Sequence, residues 1–149
     1  MCDIRHDRSD CDRLEGIKDI QEGICLIRQG LKFLCEALED LRCGKVCEAQ
    51  KNLVRGIRLI EKGLCLIEKG LKDLRHVLDC EDLKDILEGI CKIRKGLEEL
   101  CEALRNLRCG RECIAEKNLI EGIRLIEKGL CDIVAGLEDI HKDKGRKCC

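Results

Sequence analysis

Cysteine is the residue type in this chain whose number and spacing could carry chemistry. Cys25 and Cys43 are 18 residues apart, as are Cys47 and Cys65, with three residues between the inner two. Eighteen residues make five turns of an α-helix, so each pair falls on one line down its own helix. If the chain folds back at Gly44, Cys25 meets Cys65 at the far end while Cys43 lies near Cys47 at the turn. The expected product is a helical hairpin with two disulfide staples. Metal thiolate and inert buried thiol are the alternatives for the same residues.

The framework recurs 66 residues later as Cys91, Cys109, Cys113 and Cys131. The stretch from Gly56 to Cys65 (GIRLIEKGLC) returns letter for letter from Gly122 to Cys131, and Cys35-Glu-Ala-Leu returns at Cys101. The chain is a tandem duplication. Asp10-Cys11 and Asp79-Cys80 open the copies, and the first copy holds three extra residues before Gly23. The expected organisation is an N-terminal arm at 1–9, a first hairpin repeat at 10–79, a second at 80–141 and a basic, Cys-ended tail at 142–149.

In an antiparallel hairpin, facing residues have a nearly constant index sum. Cys25 with Cys65 and Cys43 with Cys47 share one sum, and Cys11 with Cys80 differs from it by one, so all three are candidate rungs of one disulfide ladder. The second repeat offers Cys91 with Cys131 and Cys109 with Cys113. Cys35 and Cys101 have no partner in their own hairpin and are expected to bond across the repeats. Fifteen cysteines is an odd number, so at least one is free or joined to another molecule. Cys2, Cys148 and Cys149 lie outside the repeat and are the candidates for intersubunit cross-links.

Two further chemistries are open to these residues. In an up-down-up-down bundle both Cys-x3-Cys turns fall at one end, where Cys43, Cys47, Cys109 and Cys113 would form a tetrathiolate site for Zn or Cu(I). For an enzyme the inventory is poor. A nucleophilic thiolate needs a base beside it, and His6, His76 and His141 sit near chain or helix ends rather than on a helical seam. The Glu and Lys residues at helical spacing read as a solvated face. The glycines fall inside helical pattern, so they form no phosphate loop.

The elements that hold the cysteines follow from composition and period. The chain has 149 residues with no Pro, Trp or Tyr and a single Phe; 40% are charged, yet the net charge is −1. That balance exerts no long-range pull on nucleic acid or an anionic membrane. Abundant Leu, Ile, Glu, Lys and Arg with almost no aromatic residue argue for an all-α fold. No apolar run is long enough to span a bilayer, and the first residues do not read as a secretory signal.

From Ile17, apolar residues alternate steps of three and four: Ile17, Ile20, Ile24, Ile27, Leu31, Leu34, Leu38, Leu41. This is a coiled-coil seam, with Ile17 at heptad position a and Ile20 at d. Gly44 and Gly110 suit left-handed helix ends, Ser9 or Asp10 suits the first N-cap, and Asp79 can end one helical region and cap the next. Two antiparallel helical hairpins in a four-helix bundle-like or coiled-coil subunit are expected, with helices of about 28 residues.

Eleven of the fourteen glycines recur every seven residues, immediately before a seam position. Each costs a helix about 1 kcal/mol relative to Ala, so close approach of helix backbones is the expected return. The b positions, which hold Cys25, Cys65, Cys91 and Cys131, and the e positions, which hold Cys35 and Cys101, lie on the flank opposite the glycines. The c position lies beside them. In the first repeat c holds Leu26, Phe33, Leu59 and Leu66; the matching residues of the second are Lys92, Glu99, Leu125 and Asp132. The apolar set is a candidate assembly patch, unless the second repeat covers it.

Three resemblances follow from these residues. The C-x9-C spacing of Cys25 with Cys35, and of Cys91 with Cys101, resembles one half of the twin C-x9-C hairpins of the mitochondrial intermembrane space. The thiol-rich bundle is partly similar to helical bundles that store Cu(I), which line their centre with cysteine. In composition and terminal cysteines the chain resembles the self-assembling cysteine-rich proteins of bacterial spore surfaces and appendages, which implies covalent assembly with late oxidation. Together the sequence points to a non-enzymatic structural protein, without a cofactor, that polymerises through disulfides in an oxidising extracellular or spore-surface setting. A cytosolic thiol-rich metal-binding protein and a coiled-coil adaptor are the rivals.

Overall fold

The computed structural model of the chain describes the backbone of residues 2–147 and the side chains of residues 10–140. It is all-α, with α1 (Cys2–Arg42), α2 (Val46–Leu74), α3 (Lys84–Arg108) and α4 (Glu112–Lys147). Helices α1 and α2 form one antiparallel hairpin and α3 and α4 a second; the hairpins then meet along α1·α4 and α2·α3. Every neighbouring pair is antiparallel. Both hairpin turns therefore lie at one end of a four-helix bundle.

The turns are built as their sequences predict. Gly44 and Gly110 take the left-handed conformation, with φ of 77° and 78°. The amide of Lys45 reaches back to the Asp40 carbonyl at 2.8 Å and that of Gly44 to Leu41 at 3.1 Å, which satisfies the last free carbonyls of α1. Arg111 and Gly110 repeat both bonds at the end of α3.

Three expectations at helix ends need correction. Helix α1 begins at Cys2, so neither Ser9 nor Asp10 starts it, and α4 continues through the basic tail to Lys147. Residues 2–9 contain no Gly or Pro to break a helix, and a long α1 has α4 beside it: Arg13 Nη2 donates to the Ile140 carbonyl at 3.2 Å. Asp79 does not cap α3. That helix follows Leu83, without a side-chain cap, after a turn-rich link from Arg75 to Leu83.

The core is the d row. Ile20, Ile27, Ile60, Ile67, Ile93 and Ile133 are all fully buried, and no polar or charged residue is buried among the described residues. The a row is buried beside them at Ile17, Ile24 and Ile90, while Leu31, Leu38, Leu97 and Leu104 are half-buried where the hairpins meet. All the side chains in the center are aliphatic.

Within each hairpin the glycines set the separation. Gly23 and Gly63 face each other, and a Cβ added at Gly63 would stand 2.5 Å from the Gly23 carbonyl oxygen and 2.7 Å from Ile27 Cγ1. Real Cβ atoms do not approach that closely. Gly16 with Gly70 and Gly30 with Gly56 repeat the contact, as do Gly89 with Gly129 and Gly96 with Gly122 in the second hairpin. Toward each turn the stripes continue seven residues on as buried alanines, Ala37 and Ala49, then Ala103 and Ala115. Small residues bring the two backbones into contact, and the gain in packing offsets their low helix propensity.

Candidate cross-linking surface

The glycine contacts fix where every cysteine points. Cys25 lies two residues beyond Gly23, and Cys65 two beyond Gly63, so each sits about 200° around its helix from the glycine that touches the partner. Both thiols consequently face away from the hairpin interface. Two separate grooves bear this out: one holds Cys25 with Lys18, Gln21 and Glu22, the other Cys65 with Arg58, Glu61 and Lys62, and Leu26 and Leu66 stand in both. The structure does not bring Cys25 to Cys65. Cys91 and Cys131 occupy the same positions around Gly89 and Gly129 and are held apart in the same way. The equal index sums were a statement about height along the axis, and height alone does not make a disulfide.

The other expected pairs are placed as follows. Cys43 and Cys47 flank the Gly44 turn, and Cys109 and Cys113 the Gly110 turn. Cys80 sits in the link between hairpins, and Cys11 on α1. All twelve repeat cysteines are exposed and carry free thiols. Cys148, Cys149 and the side chain of Cys2 lie outside the described residues. Although both turns share one end of the bundle, Cys43, Cys47, Cys109 and Cys113 do not form a tetrathiolate cluster: among the described residues no group of three or more His, Cys, Asp or Glu is placed to hold a metal ion.

The surroundings of Cys35 and Cys101 act on their thiols. Partial burial, followed by the carboxylates of Glu127 and Glu39, pushes the Cys35 thiol above its ordinary pKa. For Cys101 burial again comes first, then Glu61, with Arg105 opposing. Glu127 belongs to α4 and Glu61 to α2, so Cys35 faces the α1·α4 boundary and Cys101 the α2·α3 boundary. The bundle stands between them. A bond from Cys35 to Cys101, expected from their equivalence, is thereby ruled out within one chain.

The two boundaries differ in a way the repeat pattern hides. On the α2·α3 side Arg94 pairs with Glu68 at 2.8 Å. The equivalent residues at the α1·α4 boundary are Arg28 and Val134, which cannot pair. There a groove of about 760 Å³ opens, floored by Leu31, Leu130 and Val134 and rimmed by Arg28, Lys32, Glu127 and Glu138, with Cys35 and Cys131 both on its wall. Sequence reading missed it, because the signal is a difference between repeats at e positions, Glu68 against Val134, and the repeats were compared only at their cysteines and at position c.

The apolar c residues lie on the outer face of the first hairpin. Lys92 and Asp132, at c in the second hairpin, form an ion pair at 2.6 Å, so c positions meet across the glycine stripe. Leu26 with Leu66 and Phe33 with Leu59 hold the matching places in the first hairpin. All four are half-buried, and none is among the side chains that pack on the core. The second repeat therefore does not cover them.

No protein-family model matches this chain, and neither curated proteins nor solved structures give a significant match. Among the described residues no helix is long and apolar enough to cross a membrane.

Proposed function

We propose that this protein is a structural subunit that self-assembles into a disulfide-cross-linked fibre or layer. The observation that carries the reading is the placement of the thiols: all twelve repeat cysteines are exposed, at repeating positions on a rod whose core is wholly aliphatic. A core of Ile and Leu welded by glycine contacts supplies rigidity without help from the thiols. That leaves the cysteines on the outside, open to oxidation in a setting such as a cell or spore surface. Cys2, Cys148 and Cys149 are the proposed links at the ends. The patch of Leu26, Phe33, Leu59 and Leu66 is the proposed docking face; the second hairpin does not duplicate it, and unlike surfaces that dock head to tail build open polymers rather than closed dimers.

The test is assembly itself. Protein purified under reductant and then oxidised should form polymers visible by electron microscopy and a ladder on a non-reducing gel that collapses on reduction. A chain that stays monomeric through oxidation, and that carries tightly bound copper or zinc when isolated reduced, would instead be a metal-binding protein.

A further inference from the structure

We propose that the groove between α1 and α4 receives the apolar ridge of a second copy of this chain, the two surfaces forming one head-to-tail contact. The inference rests on the reading of Leu26, Phe33, Leu59 and Leu66 as a docking face, and it names the surface on which they dock. Two comparisons between the repeats carry it. On the outer faces, the Lys92–Asp132 ion pair of the second hairpin is matched in the first by Leu26 and Leu66. At the hairpin boundaries, the Arg94–Glu68 pair between α3 and α2 is matched between α1 and α4 by Arg28 and Val134. At both places one copy of the duplication holds an ion pair and the other puts apolar surface in its stead. The first difference makes a convex surface; the second makes a concave one, floored by Leu31, Leu130 and Val134.

Size and charge agree between the two surfaces. The rungs of the ridge, Leu26 with Leu66 and Phe33 with Leu59, are seven residues apart, which is about 10 Å along the helix axis. The groove runs along α4 from Glu127 to Glu138, about 16 Å. On its α2 flank the ridge carries Arg58, Lys62 and Lys69 against one carboxylate, Glu61. The charged side chains on the α4 wall of the groove are both acidic, Glu127 and Glu138. On α1 each surface carries charges of both signs. A basic flank thus meets an acidic wall while apolar side chains between them leave water, and the opposed rim charges fix the orientation. Phe33, in a chain without Trp or Tyr, is half-buried on the ridge, and aromatic side chains are enriched at the cores of protein interfaces. Ridge and groove share no residue, so each copy can engage one neighbour with each.

The experiment uses the full chain under reductant, which removes disulfides from the readout. Sedimentation velocity over a concentration series should show the parent associating. Val134→Glu introduces the residue found at the matching place of the α2·α3 boundary, and should leave a monomer with an unchanged far-UV spectrum. Glu127→Lys with Glu138→Lys, at exposed positions, should also abolish association, and serves as the groove variant if Val134→Glu disturbs the fold. The deciding measurement is a mixture. The groove variant keeps its ridge and the Phe33→Glu, Leu66→Asp variant keeps its groove, so the two monomers should combine one to one and stop at that dimer. A mixture of folded variants that stays monomeric overturns the proposal. So does a folded groove variant that associates like the parent; with the ridge variant monomeric, that result leaves the ridge docking on another surface. A parent that is monomeric in reductant yet polymerises on oxidation overturns this docking and leaves the cross-linked polymer standing, whereas a parent monomeric in both states removes both.

Discussion

Lys92 and Asp132 meet at 2.6 Å across the outer face of the second hairpin, in the places that Leu26 and Leu66 occupy in the first. One backbone arrangement thus presents an ion pair on one hairpin and a greasy ridge on the other. The Asp132 hydrogen bond is also the first cause that raises the Lys92 pKa. A duplicated protein with two independent outer faces has no packing reason to keep them different, so the difference points outward, to what each face touches.

Replacing Phe33 with Glu and Leu66 with Asp, the residues the second repeat already carries, is expected to abolish assembly and leave a helical monomer. Circular dichroism and sedimentation under matched conditions read both outcomes. Loss of helicity would show that the ridge belongs to the folding core.

Gly63→Ala separates two opposed effects. Helix propensity alone favours the alanine by about 1 kcal/mol. The added Cβ, however, meets the Gly23 carbonyl at 2.5 Å, a backbone atom that cannot step aside. Overpacking of this kind costs about 1–3 kcal/mol, so urea denaturation in reductant should show a net loss. A stabilised variant would mean the helices are not in contact there.

Removing the three terminal cysteines, Cys2→Ser, Cys148→Ser and Cys149→Ser, should eliminate reducible oligomers from a gel. Undiminished ladders would move the intermolecular links to the exposed thiols of the repeat.

Alkaline pH should weaken the reduced protein through Cys35 and Cys101. Both thiols titrate higher in the folded chain than in the unfolded one, so the folded state binds more protons over the intervening range. Their contribution is complete below the ordinary thiol pKa of about 8.5 and is lost as pH rises through the folded value. The double variant Cys35→Ala, Cys101→Ala should flatten the slope of the urea midpoint between neutral and alkaline pH. An unchanged slope would assign it to other groups, the Lys92–Asp132 pair among them.

The sequence by itself determined the helices, the duplication, both glycine turns and the close hairpin contact. Each is written in a local period: the alternation of three and four that buries Ile20 and Ile27, the seven-residue return of glycine at 16, 23 and 30, and the single left-handed glycine after each Leu-Arg-Cys. The extent of α1 and α4 was not legible, because a polar end with no breaker is helical or frayed according to what lies beside it, and Arg13 finds Ile140 only in three dimensions. The partners of the cysteines were decided by tertiary structure alone. Spacing gives a residue's height along its helix, and by height Cys25 and Cys65 match. Direction around the helix has to be measured from the neighbour, and the glycine at position g draws that neighbour to the side that turns position b away. The same rotation sets Cys35 and Cys131 on one groove, a relation between segments almost a hundred residues apart that no periodicity along the chain could express.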